Sequence, residues 1–97
     1  MFVKVHKSYR CIVAICDEEI LGKQFEEGQR QLQVRENFFK DKQANKEEII
    51  GVIERYARED ATFNIAGKES VDIALEIGLI KKEQPLSIQG IPYVLVF

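Results

Sequence analysis

At 97 residues the chain has room for one domain, residues 1–97, burying roughly two-thirds of the surface its unfolded form exposes. A content of 45% hydrophobic and 31% charged residues, with six glycines and two prolines, excludes a disordered or fibrous chain. The formal net charge of −2 excludes a uniformly basic nucleic-acid coat, though not a local basic patch.

Val3 and Val5 alternate with Lys4 and His6, which predicts a half-buried strand over Phe2–His6. A polar turn near Lys7-Ser8-Tyr9 leads into the unbroken apolar run Cys11–Cys16, too short for a helix and too apolar for an edge. It is expected to be a central strand, so that an antiparallel hairpin opens the chain. Asp17 then offers a helix N-cap followed by Glu18 and Glu19, and Gly22 stops that helix early. Gly28 makes a second break, after which Leu32 and Val34 alternate with glutamines in a third strand over Arg30–Arg35. Phe38 and Phe39 anchor the loop that leaves the sheet.

Asn45 and Glu48 have capping-box spacing at the start of the clearest helix, whose apolar face runs from Ile49 to Ala57 and which ends near Glu59. Gly51 on that helix suggests a close packing contact. A short extended stretch, Thr62–Ile65, precedes a second helix over Lys68–Ile77 with Val71, Ala74 and Leu75 inward and Gly78 as its stop. Leu86–Ile88 and Ile91–Val96 read as two strands around a Gln89-Gly90 turn, with Pro92 marking an edge or a bulge. The expected class is α+β: a mainly antiparallel five-stranded sheet with two main helices packed on one face.

The longest apolar run falls far short of the ~20 residues of a membrane helix. Lys4, His6, Lys7 and Arg10 break any signal peptide, so a soluble cytoplasmic protein is expected. Cys11 and Cys16, five residues apart on one strand, are separated by roughly 16 Å and point to opposite faces. They can neither bridge each other nor share a zinc ion, and they read as buried thiols. No cofactor or metal set is legible.

Candidate chemistry is sparse. His6 is the only histidine, and no spacing names an acid–base partner for it. Asp17, Glu18 and Glu19 diverge by about 100° each on a helix and are explained by helix initiation rather than by metal binding. Gly67-Lys68 lacks the glycine and hydroxyl residue that a phosphate loop requires, since Thr62 and Glu69 stand there. Gly67 reads instead as a turn or helix entry. Charge distribution is more informative: residues 17–28 are net −4, while residues 1–16 hold Lys4, Lys7 and Arg10 without an acid. Residues 29–46 add Arg30, Arg35, Lys40, Lys42 and Lys46 against Glu36 and Asp41. Basic residues interleaved with Tyr9 suit looped or single-stranded RNA, through phosphate attraction and base stacking.

The segments Met1-Phe2-Val3-Lys4-Val5, Cys16–Lys23, Phe25–Gly28, Leu32–Val34, Asn64–Gly67, Ala74–Ile80 and Ile88–Pro92 together resemble a small archaeal family, domain of unknown function four-two-four. The likeness spans essentially the whole chain but carries over no catalytic residue. It implies a short stand-alone cytoplasmic protein in the company of translation components. The family is expected to favour histidine after the proline; this chain has Tyr93 there, which removes any acid–base role at that position.

The reading is therefore a small non-catalytic binding module for RNA or a ribonucleoprotein of the translation apparatus. Lys4, Lys7, Arg10, Arg30 and Arg35 are its candidate phosphate contacts, and Tyr9 is its stacking platform. The rival is a homodimer or protein-interaction module using the apolar C-terminal strand around Leu95.

Overall fold

The opening alternation produces strand β1 (Phe2–His6), and the apolar run produces β2 (Ile12–Cys16). They pair antiparallel, with Phe2 opposite Cys16 and His6 opposite Ile12. The computed structural model describes residues 1–97. After Cys16 the chain leaves this sheet through a 3₁₀ turn at Glu18–Ile20, a hairpin of β3 (Gln24–Glu27) and β4 (Arg30–Gln33), and the one-turn helix α1 (Glu36–Phe39). It returns as β5 (Lys42–Gln43), then runs through α2 (Lys46–Ala57), β6 (Thr62–Ala66), α3 (Lys68–Glu76), β7 (Leu86–Ile88) and β8 (Ile91–Val96). No helix is long and apolar enough to cross a membrane.

The fold is α+β, but its sheet is mixed and six-stranded, in the order β5-β1-β2-β6-β8-β7. Three expectations are corrected here. The stretch Thr62–Ile65 is a central strand, and β6 runs parallel to β2 with Ile12 beside Thr62 and Cys16 beside Ala66. Flanked by β2 and β8, it is buried on both sides of its backbone, so its sequence lacks the alternation that marks a half-solvated strand. The strand at Arg30–Gln33 does not join this sheet; it pairs with β3, Phe25 opposite Leu32, as a separate ribbon. Pro92 lies at neither an edge nor a bulge. Its carbonyl accepts the Gly67 N–H at 2.8 Å, so the donor that proline lacks would point past the end of β6, where no ladder bond is lost.

Both main helices pack on one sheet face, as their apolar stripes require. Ile49, Ile53 and Tyr56 of α2 and Val71, Ile73 and Ala74 of α3 meet Val3, Val13, Ile15, Phe63, Ile65 and Val94. Each buried valine, isoleucine or phenylalanine among them stabilises the fold by about 1.5–3 kcal/mol. The opposite face is covered too, by the excursion between β2 and β5. There Ile20, Val34 and Phe39 pack on Ala14, Cys16 and Ala66. The Asn45–Glu48 capping box forms as expected, with Asn45 Oδ1 accepting the Glu48 N–H at 2.9 Å and Glu48 Oε1 accepting the Asn45 N–H at 3.0 Å. That second bond, helped by nearby Lys42, holds the Glu48 carboxyl below its ordinary range. Gly51 makes no close contact; a side chain there would meet open space.

Asp17 does not cap the turn that follows it. Its carboxylate, 2% exposed, reaches the start of α3 instead. Oδ2 accepts the Glu69 N–H at 2.9 Å, and Oδ1 accepts the Ser70 N–H at 2.8 Å and the Ser70 hydroxyl at 2.7 Å. A residue 52 and 53 positions away thus satisfies two of the donors that a helix N-terminus leaves open. Gly67, at φ 105°, sits against this carboxylate, and a Cβ there would collide with it.

Asp17→Ala is expected to lower unfolding free energy by about 3 kcal/mol, since it strands buried donors that the charged group satisfies. Urea denaturation measures this, and a loss below about 1 kcal/mol contradicts the long-range cap. A second expectation concerns Cys16, whose thiol is pushed up from 9.0 to about 12 by burial and, secondarily, by the Asp17 charge. The native state therefore keeps a proton that the unfolded chain releases above about pH 9, and stability falls as pH rises from there toward 12. Urea titrations at pH 8 and pH 10 should show a larger alkaline loss in the wild type than in Cys16→Ala. A thiol reagent should label the half-buried Cys11 before Cys16.

Candidate nucleic-acid interface

Strand alternation turns Lys4 and His6 away from the α2–α3 layer and toward α1. Lys4 Nζ donates to the Asn37 carbonyl at 2.8 Å. His6 Nε2 lies 2.8 Å from the Phe38 carbonyl. A carbonyl only accepts, so Nε2 donates this bond. The imidazole also stacks on the Phe38 ring, with centroids 4.6 Å apart and planes 22° apart. Two polar side chains of β1 thus fasten the helix that follows Arg35.

Directly after His6 the chain turns through Lys7, Ser8, Tyr9 and Arg10, all exposed, with Ser8 Oγ donating to the Arg10 carbonyl at 3.2 Å. The Tyr9 ring is fully exposed. Arg35 reaches the same corner from the other side. Its Nε and Nη2 donate to Gln33 Oε1 at 2.9 and 2.6 Å, which fixes the guanidinium plane. Arg35 and His6 line one groove of about 380 Å³ together with Gln33, Asn37 and Phe38. Glu36 is the nearest acid in sequence, but its side chain packs toward Gly22.

Of the six candidate residues, Lys7, Tyr9 and Arg10 share the exposed turn after His6, while Lys4 bonds to α1 and Arg35 lines the α1 groove together with His6. Arg30 does not join them. It pairs with Glu27 at 3.1 Å at the tip of the β3–β4 ribbon. That tip is clamped to the β7–β8 turn, where Glu27 Oε1 accepts the Gln89 N–H at 2.8 Å and Gln89 Nε2 donates to the Glu26 carbonyl at 2.6 Å. The ribbon crosses the sheet face, so residues five positions apart end near opposite edges. The rest of the second basic segment is largely paired, Lys42 with Glu48 at 3.5 Å and Lys46 with Glu76 at 3.0 Å.

Gln33 and Asn37 are not singled out by the sequence, and His6 stands out in it only as the sole histidine, with no partner named by spacing. The available signal was local: Phe38 beside Phe39 on a chain leaving the sheet, with a lone histidine on the polar face of β1. The C-terminal strand β8 is interior, between β6 and β7, so its backbone edge is already paired. Its exposed side chains are Leu95 at 47% and, just beyond it, Phe97 at 85%, on the same sheet face as Leu86 of the edge strand β7 at 54%.

The position that would bind an anion in many parallel-strand proteins, a helix N-terminus at the end of a central strand, is filled here by Asp17. The failed Gly67-Lys68 phosphate-loop match thus has a structural reason: the donors of α3 are already taken.

No curated protein matches the chain. Among solved structures it is similar to the crystal structure of an uncharacterized conserved protein from Methanopyrus kandleri, with a TM-score of 0.83 and 20% identity over 98% of this chain and 88% of that one. At that identity the likeness shows a shared fold. Residues 6–97 match the family model described as "Protein of unknown function (DUF424)", and the resemblance read from the chain's motifs is thereby shown: this chain belongs to the DUF424 family.

Proposed function

We propose that the protein is a small non-catalytic module that binds single-stranded or looped RNA, free or within a ribonucleoprotein, at the corner formed by β1, the β1–β2 turn and α1. The observation that carries this reading is the exposed basic turn Lys7–Arg10, with the Tyr9 ring fully in solvent, directly after His6, which lines a groove with Arg35 and no carboxylate. Cations fix the phosphates and the ring offers a face to any base, a combination that tolerates sequence variation. The net charge of −2 does not oppose it, because residues 1–16 hold Lys4, Lys7 and Arg10 without an acid. The family's expected association with translation components gives the reading a setting.

An unstructured RNA decamer should bind with a Kd that weakens steeply with salt. Lys7→Ala with Arg10→Ala should reduce the slope of log Kd against log salt by roughly 1.4, the share of two phosphate contacts on a single strand. Tyr9→Ala should cost about 1–3 kcal/mol of binding. Arg30→Ala, at the far edge, should leave affinity unchanged. Salt-independent binding, or equal effects at Arg30 and Arg10, would sink the reading.

A second reading rests on the exposed Leu86, Leu95 and Phe97, which share one sheet face. Three neighbouring apolar side chains in solvent suit a contact with a second copy or another protein. Mass measurement in solution distinguishes it. A dimer that becomes monomeric on Leu95→Asp supports self-association, whereas a wild-type monomer at all concentrations rejects it.

A further inference from the structure

The groove beside α1 is built more tightly than a patch of surface charge requires. Each polar group lining it is anchored at one end and leaves capacity at the other. Arg35 uses two of its five N–H donors on Gln33 Oε1, which leaves three donors and the Gln33 amide nitrogen. His6 is oriented by its bond to the Phe38 carbonyl and by its stack on the Phe38 ring, so that two aromatic rings line the groove. Asn37 contributes an amide side chain while its carbonyl holds Lys4. None of the five lining residues is acidic, and the volume of about 380 Å³ falls within the range of small-ligand sites.

We infer that this groove holds a single nucleotide, its phosphate on the Arg35 guanidinium, its base along the His6–Phe38 wall and the base edge met by the Asn37 and Gln33 amides. Arginine provides a planar fork for a phosphate, and asparagine or glutamine amides match the donor–acceptor pair on a base edge. A carboxylate ligand would satisfy Arg35 but leave the aromatic wall and both amides unused. The choice of ligand rests on the RNA reading above: the groove is the place where one nucleotide of the bound strand is held, while the turn at Lys7–Arg10 tracks the backbone.

Isotope-labelled protein titrated separately with UMP, AMP and inorganic phosphate, and then with the RNA decamer, tests the assignment by NMR. The His6 ring, the Arg35 Nε–H and the Asn37 amide should shift with a nucleotide at millimolar concentration. Inorganic phosphate should bind more weakly and leave the His6–Phe38 signals unmoved. Arg35→Gln should weaken nucleotide binding about tenfold, the loss expected for one charge-assisted hydrogen bond. Phe38→Leu should weaken nucleotide but not phosphate, and the spectrum of each variant reports whether it is folded. Equal shifts with phosphate and nucleotide overturn the assignment, as does wild-type nucleotide affinity in Arg35→Gln. If the decamer binds through Lys7 and Arg10 while the groove signals stay still, the groove inference fails and the RNA reading stands. If mononucleotides shift the groove signals and the decamer does not bind, the RNA reading fails and the groove remains a nucleotide site.

Discussion

The buried carboxylate of Asp17 is the constraint on which the rest of the architecture depends. Because β2 and β6 run parallel and in register from Ile12–Thr62 to Cys16–Ala66, the residues that follow them, Asp17 and Gly67, emerge side by side. Asp17 N–H donates to the Ala66 carbonyl at 3.1 Å, and Gly67 N–H donates to the Pro92 carbonyl at 2.8 Å. With the carboxylate fixed on the first turn of α3, three strands and one helix are pinned at a single point. A charged group is placed in the interior at this cost only because its hydrogen bonds are met and the helix dipole favours a negative charge there. Any side chain in place of Gly67 would collide with this carboxylate, so the two positions are complementary in space.

The pin also explains why the second sheet face is covered as it is. The chain leaving Asp17 cannot turn toward the helical face, where α2 and α3 are already packed, so it crosses the opposite one. Its hydrophobic content is modest: Ile20, Val34 and Phe39 are its only buried apolar anchors. Such a cover is held by polar clamps at its ends as well as by burial. Glu26 and Glu27 clamp the ribbon tip to the β7–β8 turn, and Lys4 and His6 clamp α1 to β1. These clamps leave the Lys7–Arg10 turn, with its two cations and no acid, in solvent beyond the end of the covered face.

The sequence was legible wherever one residue's role is set by its near neighbours. The Cys11–Cys16 run, the Asn45–Glu48 box and the entry into α3 at Gly67 all depend on contacts or conformations within a few positions. What was not legible depends on distant partners. Asp17 looks like the cap of its own turn, and nothing within four residues reveals that its acceptors serve Glu69 and Ser70. Thr62–Ala66 is covered on both sheet faces and so shows no alternation, and only the flanking strands make it central. Gln24–Glu27 carries a single apolar residue, Phe25, whose partner Leu32 lies across a hairpin turn. For the candidate site, Lys4, Lys7, Tyr9 and Arg10 were legible because they share one hairpin. The separation of Arg30 from Arg35 was not, because it is produced by a ribbon that spans the sheet.

The pin and the basic corner lie at opposite ends of β2, and this separation has a consequence for how the two can vary. Asp17 follows the last residue of that strand, while the Lys7–Arg10 turn precedes its first; five residues of strand put roughly 16 Å between them. Sites so far apart contribute to stability almost independently. Lys7, Tyr9 and Arg10 are exposed, and their side chains take no part in either hydrophobic core. The corner is therefore free to change its charge and aromatic content without loosening the fold, provided Lys4 and His6 keep α1 in place. Lys4 and His6 are different in kind: each carries or orients chemistry at the corner and also fastens the excursion to β1. A substitution at either one acts on structure and recognition together, and only the turn residues and Arg35 separate the two.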